Sequence, residues 1–491
     1  MLFLQSISEC AMDYTQYLWN GYVVGALWLL YAITIASCIF IVLSENRNPI
    51  KSLAWILALI FLPGIGLVFY LFFGRSLRGQ HLMSRHNKRK LFNDQRTRQL
   101  DLRTLGLTPQ EQSIVKLTHK LSRYPLTLNN SAEIFTDGVT KFEAFKRDLK
   151  NARESIYIQY YIFLDDELGR EIADILIAKA KEGVEVKVIY DHVGSFSAKN
   201  SFFKRLNDNG VESHPFFRVT FPQLANRINW RNHRKITVID RKIGYIGGMN
   251  VAERYLGPQP DGSYWRDTHL RVEGDIVESL IYSFVIDWNF LKKEVTLQHI
   301  PHKPHSLYND TGMQLITSGP TENWDNLGLI FLKAIAGASK CVYLQTPYFL
   351  PTDSLMHALV SAAKAGVDVR IMLPGKCDSK MLEFAGFSYI TQCLKAGIKV
   401  YLYTPGMIHS KVMIVDDSFL TAGSVNFDFR SFENNFEGNL LIYDRALNRR
   451  MKDIFFEDIA QCRKLTLTTW RKRPFYHKLL ESILRLLSPI L

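Results

Sequence analysis

The octapeptide HRKITVID, beginning at His233, returns as HSKVMIVD beginning at His409, and both read His-x-Lys-x-x-x-x-Asp. Other pairs recur around them in the same order. Tyr157 and Gln159 in SIYIQYYIF are matched by Tyr343 and Gln345 in CVYLQTPYF, and Gly247-Gly248-x-Asn250 by Gly423-Ser424-x-Asn426. Residues 154–191 and 339–374 each carry a β-rich apolar run, then a stretch of helical period stopping at Gly183 or Gly366, then an alternating run such as VEVKVIY. Strand, helix, strand is a βαβ unit, so each copy is expected to build a mostly parallel sheet. The period is far longer than that of a solenoid. The chain is therefore constrained to an α/β fold of two pseudo-symmetric halves.

Residues two apart on a strand share a face, so His233 and Lys235 project together, as do His409 and Lys411. Asp240 and Asp416 fall on the opposite parity, near the next turn. Strand geometry alone does not bring them to the histidines, and it leaves them to pin the hairpin or orient a polar network. The following strands, YIGGMN and LTAGSVN, end in small residues and in Asn250 and Asn426, each able to donate into the same cleft. This set suits a phosphodiester. Two lysines neutralise the non-bridging oxygens, work that metal ions do elsewhere, and the amides add neutral donors. One imidazole attacks phosphorus and becomes a phosphohistidine; the other protonates the leaving group and then takes a proton from the acceptor. In-line displacement needs nucleophile and leaving group on opposite sides of phosphorus, which two facing copies supply.

On these residues the chain resembles the phospholipase D superfamily, whose signature is the doubled HKD motif. NWRNHRKITVIDRKIGYIGGMNVAERY, YWRDTHLRVEG (264–274), RSFENNFEGNLLIYD (430–444) and NPIKSLAWILALIFLPGIGLVFYLFFGR (48–75) are similar to bacterial cardiolipin synthases of the two-helix type, and the likeness covers nearly the whole chain. It implies one site between two phospholipase D-like halves, with no metal or cofactor and a covalent phosphohistidine. The catalytic set it implies is His233, Lys235, Asp240, His409, Lys411 and Asp416, with His233 as the nucleophile. Asn250, Asn426 and Glu437 join it on the substrate-binding side, Glu437 hydrogen-bonding a catalytic histidine. The implied reaction is phosphatidyl transfer between two phosphatidylglycerol molecules, giving cardiolipin and glycerol. The residues themselves leave open water as acceptor (a membrane-bound phospholipase D) and phosphatidylethanolamine as donor.

The formal charge of +13 calls for an anionic partner. Residues 75–103 hold nine Lys or Arg and two Asp, so much of the excess lies in one short segment. Two uncharged apolar runs precede it, 22–43 and 53–73, each long enough to cross a bilayer. Pro63, Gly64 and Gly66 are expected to bend the second. No Lys or Arg precedes Arg47, which argues against a secretory signal. The expectation is a transmembrane helical hairpin within 1–80 and a multi-pass protein of the cell membrane. By the positive-inside rule its catalytic body and N-terminus are cytoplasmic. The basic segment is placed to meet anionic membrane lipids. The hairpin, and a charge clustered beside it rather than on an aromatic-interleaved face, argue against nucleic acid as partner. The six cysteines form no C-x-x-C pair, which excludes a disulfide framework and zinc-site spacing.

The expected organisation continues with a basic juxtamembrane linker (81–130), the first half (131–298), a linker (299–312), the second half (313–462) and an amphipathic tail (463–491). HIPHKPH, 299–305, reads as linker, because its prolines forbid the helix that would align His299, His302 and His305. In SHPFFRVTFPQLANRINW, 213–230, Phe216, Phe217 and Phe221 suit a lipid entry or ordinary core packing equally. In the tail, Leu479, Leu480, Ile483, Leu484, Leu486 and Leu487 form a stripe that suits the membrane interface or the catalytic body equally.

Overall fold

The computed structural model describes residues 2–44, 49–62, 64–70, 74, 105–218, 230–259, 262, 264–291 and 311–486. The basic segment 75–103, the histidines of 299–305, Phe221 and Leu487 lie outside them. The N-terminal helices form one compact unit, and the α/β body belongs to another.

Helix α1 (Leu2–Ser44) carries, over Gly21–Phe40, the one stretch among the described residues that is long and apolar enough to cross a membrane. The expected second span is not a single helix. After α2 (Pro49–Phe61) the chain reverses through Gly64, whose φ of +77° suits glycine, and α3 (Ile65–Phe69) returns against α2. A Cβ on Gly66 would lie 2.3 Å from the Ala58 carbonyl oxygen, so only glycine allows this approach. The Trp55 and Tyr70 rings meet at 5.5 Å; in an unbroken helix their Cα atoms would be ~22 Å apart. The 13 residues of α2 reach only ~20 Å, short of the ~30 Å hydrocarbon core. Run 53–73 therefore folds back on itself, and among the described residues one helix rather than two is long and apolar enough to span, so the expected two-span hairpin is not shown. At the turn, Gly64 N–H donates to the Tyr31 hydroxyl at 3.2 Å, halfway along the apolar stretch of α1.

In the body, one sheet comprises β1 (Asn130–Phe135), β2 (Ser155–Tyr160), β3 (Glu185–Asp191), β4 (Glu212–Phe216), β5 (Ile236–Ile239), β6 (Ile243–Gly247) and, past the short β7 (Trp265–Arg266), β8 (His269–Gly274). The other comprises β9 (Gly312–Ser318), β10 (Cys341–Gln345), β12 (Asp368–Pro374), β13 (Lys399–Tyr403), β15 (Val412–Val415), β16 (Phe419–Gly423), β18 (Glu437–Tyr443) and β19 (Cys462–Lys464). The pieces β11 (Phe349–Leu350), β14 (Met407–Ile408) and β17 (Phe427–Asp428) lie apart. The orders are β1-β8-β6-β5-β2-β3-β4 and β9-β18-β16-β15-β10-β12-β13-β19, one topology used twice with a strand added to the second edge. Within these two sheets only β2-β3-β4 and β10-β12-β13 are parallel among the described residues. The sheets are mixed rather than mostly parallel, because the His-Lys segments enter through antiparallel hairpins, β5–β6 and β15–β16.

The βαβ helices fall where the period placed them, Glu167–Lys181 and Asp353–Lys364. Each is followed by a left-handed glycine, Gly183 at φ +89° and Gly366 at φ +93°. One apolar cluster unites the halves: Tyr157, Leu280 and Phe284 from the first pack with Leu420, Ile442 and Phe455 from the second. Phe216 and Phe217 are buried in the same cluster against Phe436, so these two are core.

Candidate active site

His233 and Lys235 lie in the extended segment leading into β5, and His409 and Lys411 in the one leading into β15; all four are buried. Each segment is held by the backbone of the opposite half. His233 N–H donates to the Phe436 carbonyl at 2.9 Å, and Phe436 N–H to the Arg231 carbonyl at 2.8 Å. His409 N–H donates to the Arg266 carbonyl at 2.7 Å, where β14 pairs with β7. Each crossed ladder ends beside a carboxylate. Glu437 oxygens lie 3.0 and 3.1 Å from His233 Nδ1, and Asp267 Oδ2 lies 2.6 Å from His409 Nδ1. An Nδ1–H donated to a carboxylate fixes ring and tautomer and leaves Nε2 as the reactive nitrogen. The carboxylates are exchanged: each half orients the other's histidine.

Small residues make this possible. A Cβ on Gly248 would meet Asp267 Oδ1 at 2.1 Å. Ser424 takes that place in the second half, and its hydroxyl donates to the longer Glu437 at 2.5 Å. Asn435 Nδ2 donates to Glu437 at 3.2 Å. Lys235 Nζ donates to the His233 carbonyl at 2.6 Å, and Lys411 Nζ to the His409 carbonyl.

Burial dominates the electrostatics. It pushes His233 down to about 4, with Glu437 opposing, and His409 well below its usual value, with Lys411 and Lys235 adding to the fall. Both rings are neutral near pH 7. Burial lowers Lys235 well below the ordinary amine range and takes Lys411 to about 8. The two carboxylates differ. Burial raises Asp267 to about 6 against the pull of Lys411. Burial also pushes Glu437 up, but His233, Lys235 and the Ser424 hydroxyl outweigh it, and the net shift is downward.

Asp240 and Asp416 are not at this site. Asp240 accepts from the backbone N–H groups of Arg153, Glu154 and Ser155 at 2.7–3.1 Å. Asp416 accepts likewise from Ser339, Lys340 and Cys341. Their place in the implied catalytic set is corrected to that of pins, one per half, tying the His-Lys hairpin to the start of the central strand. Strand parity keeps them from the rings. Glu437 contacts an imidazole rather than the space beyond Nε2, so it orients a histidine. Asn250 is occupied locally, accepting from Ile162 N–H at 3.2 Å and donating to the Tyr255 hydroxyl at 3.3 Å. Asn426 Oδ1 is buried with no partner among the described residues.

Sequence reasoning missed Asp267. The strand register reveals it: Gly247 pairs with His269 and Gly423 with Asn439, so Asp267 and Glu437 stand two residues ahead of equivalent positions. It also missed why Gln159 and Gln345 recur. Each donates to a buried carboxylate, Asp287 at 2.5 Å and Asp458 at 2.7 Å. Those carboxylates pair with Arg234 at 2.6 Å and Arg266 at 2.7 Å, the neighbours of His233 and Asp267.

Two sheets of one topology that bring paired His-Lys segments onto exchanged carboxylates define a phospholipase D-like protein. Residues 145–263 and 331–459 match the family described as cardiolipin synthase, PLD-like domain, and residues 29–75 match the phospholipase D-nuclease N-terminal family. Over 476 residues the chain is 39% identical to the major cardiolipin synthase ClsA of Bacillus subtilis, covering 95% of this chain and 98% of that one. Over 484 residues it is 38% identical to a cardiolipin synthase of Alkalihalophilus pseudofirmus, covering 96% and 95%. The fold is similar to the crystal structure of a phosphatidylserine synthase from Haemophilus influenzae, with TM-score 0.60 over 77% of this chain and all of that one, at 18% identity. The chain belongs to the cardiolipin synthase family of phospholipase D-like proteins.

Proposed function

We propose that the protein is a membrane-anchored phosphatidyltransferase that converts two molecules of phosphatidylglycerol into cardiolipin and glycerol. One observation carries the reading: two buried histidine–carboxylate pairs share their surroundings with two lysines whose ammonium groups burial disfavours. A phosphodiester anion between them supplies the counter-charge that burial withholds.

His233 Nε2 attacks the phosphorus of the first phosphatidylglycerol. The bond from phosphorus to the glycerol headgroup oxygen breaks, and His409, which takes up a proton from solvent on Nε2 when the phosphodiester anion binds beside it, hands that proton to the leaving oxygen. A headgroup hydroxyl of the second phosphatidylglycerol then attacks the phosphohistidine, His409 takes its proton, and the P–N bond breaks to release cardiolipin. Lys235 and Lys411 hold the non-bridging oxygens throughout, and Asn426 offers its amide to a headgroup hydroxyl. The unlike carboxylates support His233 as nucleophile. The attacking ring gains positive charge, and Glu437, held ionised, stabilises it. The Asp267–His409 pair, with a carboxyl at about 6, suits a group that gives and regains a proton.

α1 anchors the enzyme in the membrane that holds its substrate, and by the positive-inside rule the basic residues of 75–103 support a cytoplasmic catalytic body. The test is incubation of the purified protein with phosphatidylglycerol as sole lipid. Cardiolipin and glycerol in equal amounts are expected. Phosphatidic acid without cardiolipin would make water the acceptor and overturn the transferase reading.

A further inference from the structure

The C-terminal helix Phe475–Leu486 shows three faces. Glu481 and Leu484 are buried, and rings on the helix Lys380–Ala396 meet this one: Phe384 lies 5.5 Å from His477, and Tyr389 lies 4.5 Å below Arg485. A second face is apolar and bare. Phe475 is 77% exposed, Tyr476 66% and Leu486 79%, with Leu479, Leu480 and Ile483 also open. At ~100° per residue these six occupy one arc of about 140°. The third face, at the edge of that arc, is basic. Lys478 and Arg485 join Arg471 and Arg473 around a cavity of about 430 Å³, with Glu481 its one carboxylate among the described residues. Arg473 pairs with Glu481 and lies over the Trp470 ring.

Apolar residues beside a cluster of cations match one surface, the boundary between acyl chains and anionic headgroups. The position fits as well. The helix Lys380–Ala396 begins two residues after Asp378, whose charge acts on both His409 and Lys411. Its first turn carries Met381, 46% exposed. Phe384 meets His477 and Tyr389 meets Arg485, so the two helices run the same way. The bare aromatic end, Phe475 and Tyr476, therefore lies at the end of that helix nearest Asp378.

We propose that this helix is a second membrane contact, independent of the N-terminal anchor. Its apolar arc seats in a bilayer containing anionic phospholipid, and the Arg471–Lys478 cavity takes an anionic headgroup. The mouth of the active site is thereby held at the lipid surface, where diacylated donor and acceptor enter without crossing water. The inference does not depend on which acceptor the active site uses.

The experiment uses the full-length protein in nanodiscs, with the substitution Ile483→Cys carrying an environment-sensitive fluorophore and the unlabelled background subtracted. With phosphatidylglycerol-containing discs, a nitroxide-bearing lipid is expected to quench the fluorophore and aqueous iodide to spare it. Changing Arg471→Gln and Lys478→Gln should lower the seated-to-free ratio of the helix roughly 30-fold and remove its dependence on anionic lipid. Both side chains are exposed, so the body keeps its fold. Quenching by iodide alone would overturn the proposal. So would protection from both quenchers together with a disulfide cross-link between two unlabelled copies of the Ile483→Cys variant, which assigns the face to a second copy of the chain. Lipid quenching that is unaffected by the double substitution would overturn the headgroup cavity.

Discussion

Replacing Asp240 separates a pin from a catalyst. Its carboxylate accepts from three consecutive N–H groups, those of Arg153, Glu154 and Ser155, and the residue sits at φ +50°. Hydrogen bonds to a charged group contribute about 1.5–3 kcal/mol when fully buried. Arg153 and Glu154 are exposed, so water replaces part of what is lost, and each bond is taken at about 0.5–1 kcal/mol. Alanine in the left-handed region adds about 1 kcal/mol that Asp and Asn largely avoid. Asp240→Ala therefore costs about 3 kcal/mol, and Asp240→Asn, which keeps an acceptor oxygen, about 1 kcal/mol. In a body of this size that lowers the melting temperature by about 6 °C and about 2 °C. Turnover well below the melting point should stay within about threefold of the unaltered protein, because no reacting atom is touched. Thermal melts in detergent and initial rates of cardiolipin formation at about 20 °C, on one preparation, measure both. A loss beyond about a hundredfold in Asp240→Asn with an unchanged melting temperature would refute the assignment and return the aspartate to the chemistry.

Three further outcomes are expected. Glu437→Gln keeps the hydrogen bond to His233 but loses a buried charge beside Nδ1, worth about 4 kcal/mol at an effective dielectric of ~20. Phosphohistidine formation should slow about a thousandfold in single-turnover quench, and a change under about tenfold would remove Glu437 from the step. Lys411, at about 8, must be protonated to clamp the phosphodiester, so kcat/KM should fall about tenfold per pH unit above that value. Bound anion favours the ammonium, so the same limb in kcat should lie at higher pH, and coincident limbs would refute the clamp. Stability should move the other way. The folded-state value lies below the ordinary 10.5, the unfolded chain binds the proton more readily between the two, and stability from this group rises across that window. Finally, the reversal after α2 turns run 53–73 back on itself, and a single crossing by α1 is the topology expected from it. An epitope ahead of α1 should be open to impermeant protease outside intact spheroplasts while the catalytic body is protected, and protection of both would restore a second span.

The duplication was legible because the His-x-Lys pair and its flanking Tyr-x-Gln and Gly-x-x-Asn recur in the same order in both copies. The βαβ helices were legible from period and from their terminal glycines. Strand parity already set Asp240 and Asp416 apart from the rings, where the family motif alone placed them in the catalytic set. The exchanged carboxylates were hidden, because Asp267 and Glu437 differ in type and length and only the strand register shows their equivalence. The antiparallel share of each sheet was hidden too, since hairpin and crossover strands carry the same apolar runs. In 53–73, hydropathy measures length along the chain and is blind to a reversal. That reversal rests on the torsion of one glycine and the bare Cα of another, Gly64 and Gly66.

The crossing of carboxylates between halves has a consequence for biosynthesis. The ribosome releases the first half with His233 in place and nothing to steady its ring, and the group that will steady it, Glu437, is made about two hundred residues later. The His233–Glu437 pair thus forms only after Glu437 has been made and the two halves have docked. On the proposed mechanism, a nascent or misassembled copy presents its attacking ring unsteadied and leaves the lipids around it intact.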